Sequence, residues 1–324
     1  MQLPRYYICP MSKNIVDSVL ELNNDNKFGL LPTRRQIDWD GGYVNNWNTK
    51  EFYEYIRSKD KNIILQRDHS GPNQGVISDF GYVTYTHDAN YFDIIHLDPW
   101  KRFSNHLDGI NETIRSIKYI HYLNPNVKFE VLTEEAIRKF SDKELIDIMR
   151  YLLDNLTREE FDSIVYMVVQ SGVGLDLVNM KNTGVFNLEK LKKQSLLFKS
   201  FNKHTKEHNG DYLTRDEINI RFSNGLTSLN IGPEIVQIET LTYLEYMSDT
   251  QINEFYKICL DSKKWERWVP ENFDFSDKKK LIQICGHYCF SMYELQKIDR
   301  TQNSVIEIKE AVKYNIKTKL NYLP

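Results

Sequence analysis

Two histidines and a set of carboxylates and amides are the residues of this chain best suited to chemistry. Asp68 and His69 adjoin in RDHSGPN (67–73), and His96 and Asp98 lie in IHLDP (95–99). Glu130 and Glu134 lie in FEVLTEE (129–135), and His208, Asn209 and Asp211 in EHNGDY (207–212). Gln170 and Asn230 end two further apolar runs, while Arg34, Arg35, Gln36 and Gly42 follow another. Neutral imidazole with carboxylate is a donor set for a borderline divalent cation, Zn²⁺, or Mn²⁺ where carboxylate and water dominate. Such a cation polarises a carbonyl, and a free carboxylate beside it can move a proton. The competing reading is structural: a hydrogen-bonded core histidine, and a turn-forming Asp68. Neighbours on a strand face opposite sides, so Asp68 and His69 reach one site only if the strand ends between them. Gly71-Pro72 supports such an exit.

The elements that would position these residues alternate short apolar runs with helical patterns. Strands are expected at 5–10, 28–33, 62–69, 92–99, 127–135, 162–172, around 206–212, and at 227–233. Helical spacing fills 14–22, 49–58 (with Thr49 able to cap it), 104–123 and 142–157. Eight strands in about 230 residues, mostly separated by helices, predict an α/β (β/α)₈ barrel. An open doubly wound sheet is the alternative, but no G-x-G-x-x-G follows any strand. The barrel is expected over 1–249, with 250–324 a C-terminal helical extension packed on it. In a barrel the C-terminal strand ends share one mouth, and each candidate above sits at such an end. That coincidence, with His69 on strand three and His208 on strand seven, is the signal; loops are polar anyway.

Composition narrows the rest. A net charge of −3 gives no reason to expect nucleic acid or an anionic membrane as partner. Hydrophobic residues at 41% with 27% charged exclude extended disorder. No apolar run approaches the ~20 residues of a spanning helix, the N-terminus lacks a signal-peptide pattern, and four cysteines suit a reducing cytoplasm. Cys285-Gly-His287-Tyr-Cys289 is a poor zinc signal without a second pair and reads as buried core. Trp265, Trp268 and Phe273 read as a packing patch.

GGYVNNW (41–47), RDHSGPN, IHLDP, FEVLTEE, VVQSGV (168–173), EHNGDY and LNIGP (229–233), in that order, resemble the motifs of the tagatose-bisphosphate aldolase "non-catalytic subunit" family, the GatZ/KbaZ-like proteins. The resemblance covers roughly residues 30–235. It implies a barrel akin to the class II, metal-dependent ketose-bisphosphate aldolases. Some members are similar to sugar 4-epimerases, and others are taken as partners of a catalytic aldolase subunit. Carried over, it implies Asp68 as acid/base and His69 and His208 as metal ligands; should Asp68 be structural, Asp98 and Glu134 are next in line. Asn230 resembles the family's substrate-holding Asn, and Gln36, Gly42, Asn73, His96, Gln170, Asn209 and Asp211 are expected as further substrate contacts. Gln170 replaces a third zinc histidine, so the metal is expected to recruit Glu134 or Glu130. Asp211 and Gly232-Pro233-Glu234 replace phosphate-receiving residues. The sugar is therefore expected to be unphosphorylated, or to place its phosphate on Arg34, Arg35 or Arg67. A retro-aldol epimerase is the first expectation, a class II aldolase the second, and a stabilising, non-catalytic aldolase subunit the third. Besides the small-molecule sugar, a homo-oligomer or an aldolase catalytic subunit is the expected partner.

Overall fold

The computed structural model describes residues 2–292 and 304–324. Eight parallel strands close into one barrel: β1 (Tyr6–Ile8), β2 (Phe28–Leu30), β3 (Ile64–Ser70), β4 (Ile94–Leu97), β5 (Lys128–Val131), β6 (Ile164–Val168), β7 (His204–Glu207) and β8 (Ser228–Ile231). Each pairs with the next, and β1 closes on β8 through Tyr7 opposite Asn230. Helices fill the connections, so the fold is the (β/α)₈ barrel. A two-stranded hairpin, Leu175–Asp176 with Lys181–Asn182, is inserted after β6. The second helix, Thr49–Arg57, is capped by Asn48 in a capping box with Glu51. Thr49 is instead buried, its hydroxyl accepting from Arg67.

Alternate strand residues fill the barrel interior, as a closed sheet requires. A lower layer of Tyr7, Leu31, Ile64, Ile94 and Tyr166 forms its own apolar cluster. Gly29 makes room for it, because a Cβ there would lie 2.8 Å from the Tyr7 ring. Above it Gln66, Glu130 and Lys206 form a polar layer, all fully buried. Asp68 and His208, two residues beyond Gln66 and Lys206, lie at the strand ends with His96 and Asn230, all four buried.

The segment after Tyr246 contributes helices Asp249–Asp261, Lys278–Cys285 and Ser304–Tyr322. Ile308, Val312, Ile316 and Leu320 recur every four residues and are buried against helices Pro233–Tyr246 and Lys13–Leu22. Lys313 and Lys317 pair with Glu21 on the same face. Cys259, Cys285 and Cys289 are buried free thiols in this apolar layer. Trp265 stacks edge-on against Phe275 at 4.8 Å, and Trp268 Nε1 donates to the Tyr288 hydroxyl. Among the described residues no helix is long and apolar enough to cross a membrane.

One buried acid ties two of these helices together. Glu239 accepts from Ser12, the N-cap of helix Lys13–Leu22, and from Asn14. Burial pushes its carboxyl up from 4.5 to about 7 against those hydrogen bonds. Below the unfolded value both states are neutral and the group is harmless. Between the two values only the unfolded chain ionises, so stability falls as pH rises through that window and levels off above it. The span corresponds to about 3 kcal/mol. Glu239→Gln is expected to flatten the fall of Tm between roughly pH 5 and 7. An unchanged slope in thermal melts of the variant would show that Glu239 does not carry it.

Candidate active site

The strand ends meet at a backbone irregularity. The β3–β4 register shifts between Arg67 and Ser70, and His69 has a left-handed φ of 41°. The bulge breaks the alternation, so Asp68 and His69 both face the mouth. The flipped peptide is held by the His69 N–H, which donates to His96 Nδ1 at 3.2 Å. His96 Nε2 lies 2.8 Å from the Leu132 carbonyl, to which it donates. Leu132 and Asn209 also have positive φ, each beside a site residue. Such conformations cost of order 1 kcal/mol and gather where a site imposes them.

Each of the two histidines expected as metal ligands is backed by a buried carboxylate. Asp98 Oδ2 lies 2.7 Å from His69 Nδ1, and Glu130 Oε1 lies 2.6 Å from His208 Nε2. Each contact fixes one ring nitrogen as the N–H donor and turns the other inward. Those inward nitrogens, His69 Nε2 and His208 Nδ1, are 3.7 and 3.5 Å from Glu134 Oε2. Asp68 Oδ2 is 3.7 Å from the same His69 nitrogen. Ligand atoms of Asp68, His69, His96 and His208 lie within 4.8 Å of one another, as do those of His69, Asp98 and Glu134. Carboxylate–histidine pairs with the free nitrogens converging are the usual support of a metal-binding histidine.

Electrostatics point the same way. Burial opposes charge on both imidazoles, but the carboxylates outweigh it. Glu130 leads in raising His208 to about 9, and Asp68, Glu134 and Asp98 raise His69 well above its usual range. Burial alone would raise the Asp68 and Glu134 carboxyls, yet the histidines hold both below the usual range. Glu130 is balanced from below by Lys206, whose Nζ is 3.0 Å from Oε2 and 2.7 Å from Gln66 Oε1. The cluster therefore favours positive charge where the two free ring nitrogens meet, supplied by protons or by a cation.

The remaining expected residues divide. Asn230 is buried with neither amide atom hydrogen-bonded, and Asp68 Oδ1 is likewise without a partner. Asn209 is half-buried at the β7 exit. Gln36 accepts from the Thr33 N–H, and a Cβ on Gly42 would lie 2.1 Å from the Gln36 carbonyl, so these two shape the loop after β2. Asn73 accepts from Ser78 within its own loop. Gln170 is a correction: its Nε2 donates to the Thr133 and Arg138 carbonyls and its Oε1 accepts from Phe140 N–H. It pins the loop after β5 and has no donor left for a sugar. Two of the three arginines expected to receive phosphate are also engaged. Arg34 pairs with Asp38 and Asp79, and the fully buried Arg67 pairs with Asp88 through two nitrogens. Arg35 is exposed. Asp211 Oδ1 accepts from the Gly232 and Glu234 N–H groups at 2.9 and 2.8 Å. Burial and neighbouring Glu234 push its carboxyl up to about 7. Three further residues enter that single-residue reading did not find. Gln74 donates to Asp98 Oδ2, Lys206 neutralises Glu130, and Cys9 lies at the β1 exit beside Gly232.

No protein-family model matches the chain, and no curated protein does. Solved structures do. A probable tagatose 6-phosphate kinase from Sinorhizobium meliloti 1021 is 14% identical, with 98% of each chain covered and a TM-score of 0.76. The fructuronate-tagaturonate epimerase UxaE from Cohnella laeviribosi is 9% identical over 99% of this chain and 81% of its own, at 0.64. Fructose-bisphosphate aldolase from Campylobacter jejuni is 12% identical over 99% and 90%, at 0.59. At such identities the likeness is one of fold.

Proposed function

We propose that the chain is a metal-dependent sugar enzyme that inverts a hydroxyl at C4 of a ketose or ketose derivative by retro-aldol and aldol steps. The observation that carries this reading is the convergence of His69 Nε2 and His208 Nδ1, each ring backed by a buried carboxylate, on Asp68 and Glu134. The similarity in fold to an epimerase and to aldolases supports it. His69, His208 and Glu134 would hold Zn²⁺, or Mn²⁺, which supplies Lewis-acid polarisation of the ketose carbonyl. Asp98 and Glu130 keep the two imidazoles in the ligating tautomer. Asp68, ionised at neutral pH, takes the proton of the C4 hydroxyl as C4 becomes an aldehyde. The C3–C4 bond breaks, and its electron pair moves to C3 and on toward the C2 carbonyl oxygen. Asn230 holds a sugar hydroxyl with its unpartnered amide. The aldehyde fragment turns, the steps reverse, and Asp68 returns its proton to the epimeric C4 oxygen. Release of the fragment before re-addition is aldolase activity from the same residues, the second reading.

The test is metal analysis of the purified chain, then a screen of ketoses, keto-uronates and ketose phosphates with added Zn²⁺ or Mn²⁺. One divalent ion per chain and a C4 epimer are expected. An aldehyde fragment in place of the epimer would move the assignment to aldolase. No bound ion and no turnover of any sugar would sink both.

A further inference from the structure

Barrel enzymes often receive a substrate phosphate on the loops after strands seven and eight, at the N-terminus of the helix that follows, where backbone N–H groups converge. Helix Pro233–Tyr246 begins at that place in this chain. Gly232 is its N-cap, and Pro233 has no N–H to offer. The Gly232 and Glu234 N–H groups both donate to Asp211 Oδ1, and Ile235 N–H donates to the Gly232 carbonyl. The donors of the first turn thus already have partners within the chain. The plug is itself clamped. Asn182 of the inserted hairpin donates to the Asn209 and Asp211 carbonyls, Tyr212 N–H donates to Glu234 Oε2, and Lys319 pairs with Glu234. Asp211 is 1% exposed.

We infer that Asp211 is a built-in occupant of the barrel's anion site, and that it restricts the enzyme to sugars whose end at helix Pro233–Tyr246 is a free hydroxyl rather than a phosphate. The inference rests on the reading of the mouth as a sugar site. Its physical basis is that a phosphate arriving there meets Gly232, Glu234 and Ile235 N–H groups that already have acceptors, and a buried acid in its place. Arg34 and Arg67, bound to Asp38, Asp79 and Asp88, do not offer a substitute.

Two arms test it. In the first, inorganic phosphate is titrated into the whole chain while the Gly232 and Glu234 amide resonances are followed. The parent should show no saturable shift at tens of millimolar. Asp211→Gly, which frees both amides, should gain one. A saturable shift in the parent overturns the inference, as does a folded Asp211→Gly that gains none. Asp211→Asn keeps the acceptor oxygen and should stay closed to phosphate; phosphate binding by this variant would mean that charge rather than occupancy excludes the anion. In the second arm each turned-over ketose is compared with its ester phosphorylated at the end facing the helix. The free sugar should be favoured by roughly a hundredfold or more in kcat/KM, the cost of a displaced anion contact. Preference for the ester would overturn the inference and leave the proposed function standing. If the screen finds no ketose or ester that is turned over, the proposed function fails, and the amide titration still decides the fate of Asp211.

Discussion

Replacing Asp68 by Asn is expected to lower kcat by roughly 10²–10⁴-fold while the protein stays folded and keeps its metal. Asn preserves the shape and the acceptor oxygen but cannot exchange a proton, so only the transition-state contribution is lost. The turn-forming reading of Asp68 predicts near-normal turnover, since Asn serves a turn nearly as well. The geometry weighs against that reading. Asp68 donates its own N–H to the Pro32 carbonyl, but among the described residues no backbone N–H reaches its side chain. His96 Nδ1 lies 3.4 Å from its Oδ1 and His69 Nε2 lies 3.7 Å from its Oδ2. A buried carboxylate oxygen without a donor is costly unless something else occupies the space beside it. Steady-state kinetics with metal analysis on the same sample decide the matter. Turnover within a few-fold of the parent makes Asp68 structural and moves the acid/base role to Asp98 or Glu134. Loss of metal together with activity makes it a ligand instead.

The barrel was legible because each strand is a short apolar run bounded by turn residues, and eight such runs admit few closed arrangements. The mouth was legible for the same reason, since strand order alone places 68–69, 96–98, 130–134, 208 and 230 at one end. The division of labour among these residues was not. Asp98 and Glu130 look like free carboxylates in sequence, but each lies behind a histidine from another strand. Arg34 and Arg67 look like free cations because Asp79 and Asp88, which bind them, lie in the next loop and helix. Gln170 looks like an amide facing a substrate, and its partners Thr133, Arg138 and Phe140 come from the preceding connection. One unused signal was local. Gln66 and Asp68, His96 and Asp98, and Lys206 and His208 are polar pairs two residues apart within or at the ends of buried strands. In a closed barrel that spacing puts both members of a pair inside. The left-handed turn at His69 is the exception that brings an out-of-phase residue to the same site, and only Gly71-Pro72 hinted at it.

His69→Ala and His208→Ala are each expected to remove the bound cation and abolish turnover together. Loss of Lewis-acid stabilisation amounts to several kcal/mol, about a thousandfold or more in kcat. The expectation follows from how few donors the site has. If His96 Nδ1 stays with the His69 N–H, the inward donors are two ring nitrogens and the carboxylates of Asp68 and Glu134. With Asp68 kept for proton transfer, removing either imidazole leaves two protein ligands, one fewer than the three that a catalytic site with an open position uses. Glu130→Gln provides the graded comparison. It removes the charge that holds the His208 N–H while leaving both ligating rings, and supporting carboxylates of this kind are typically worth 10–100-fold in metal affinity. Metal titrations should therefore rank the parent tightest, Glu130→Gln weaker, and the two alanine variants without stoichiometric metal. Adding excess Zn²⁺ should restore turnover in Glu130→Gln and in neither histidine variant. Equal metal content across all four proteins would mean that the imidazoles serve as protonated partners of the carboxylates, and the site would then have to act by proton transfer alone.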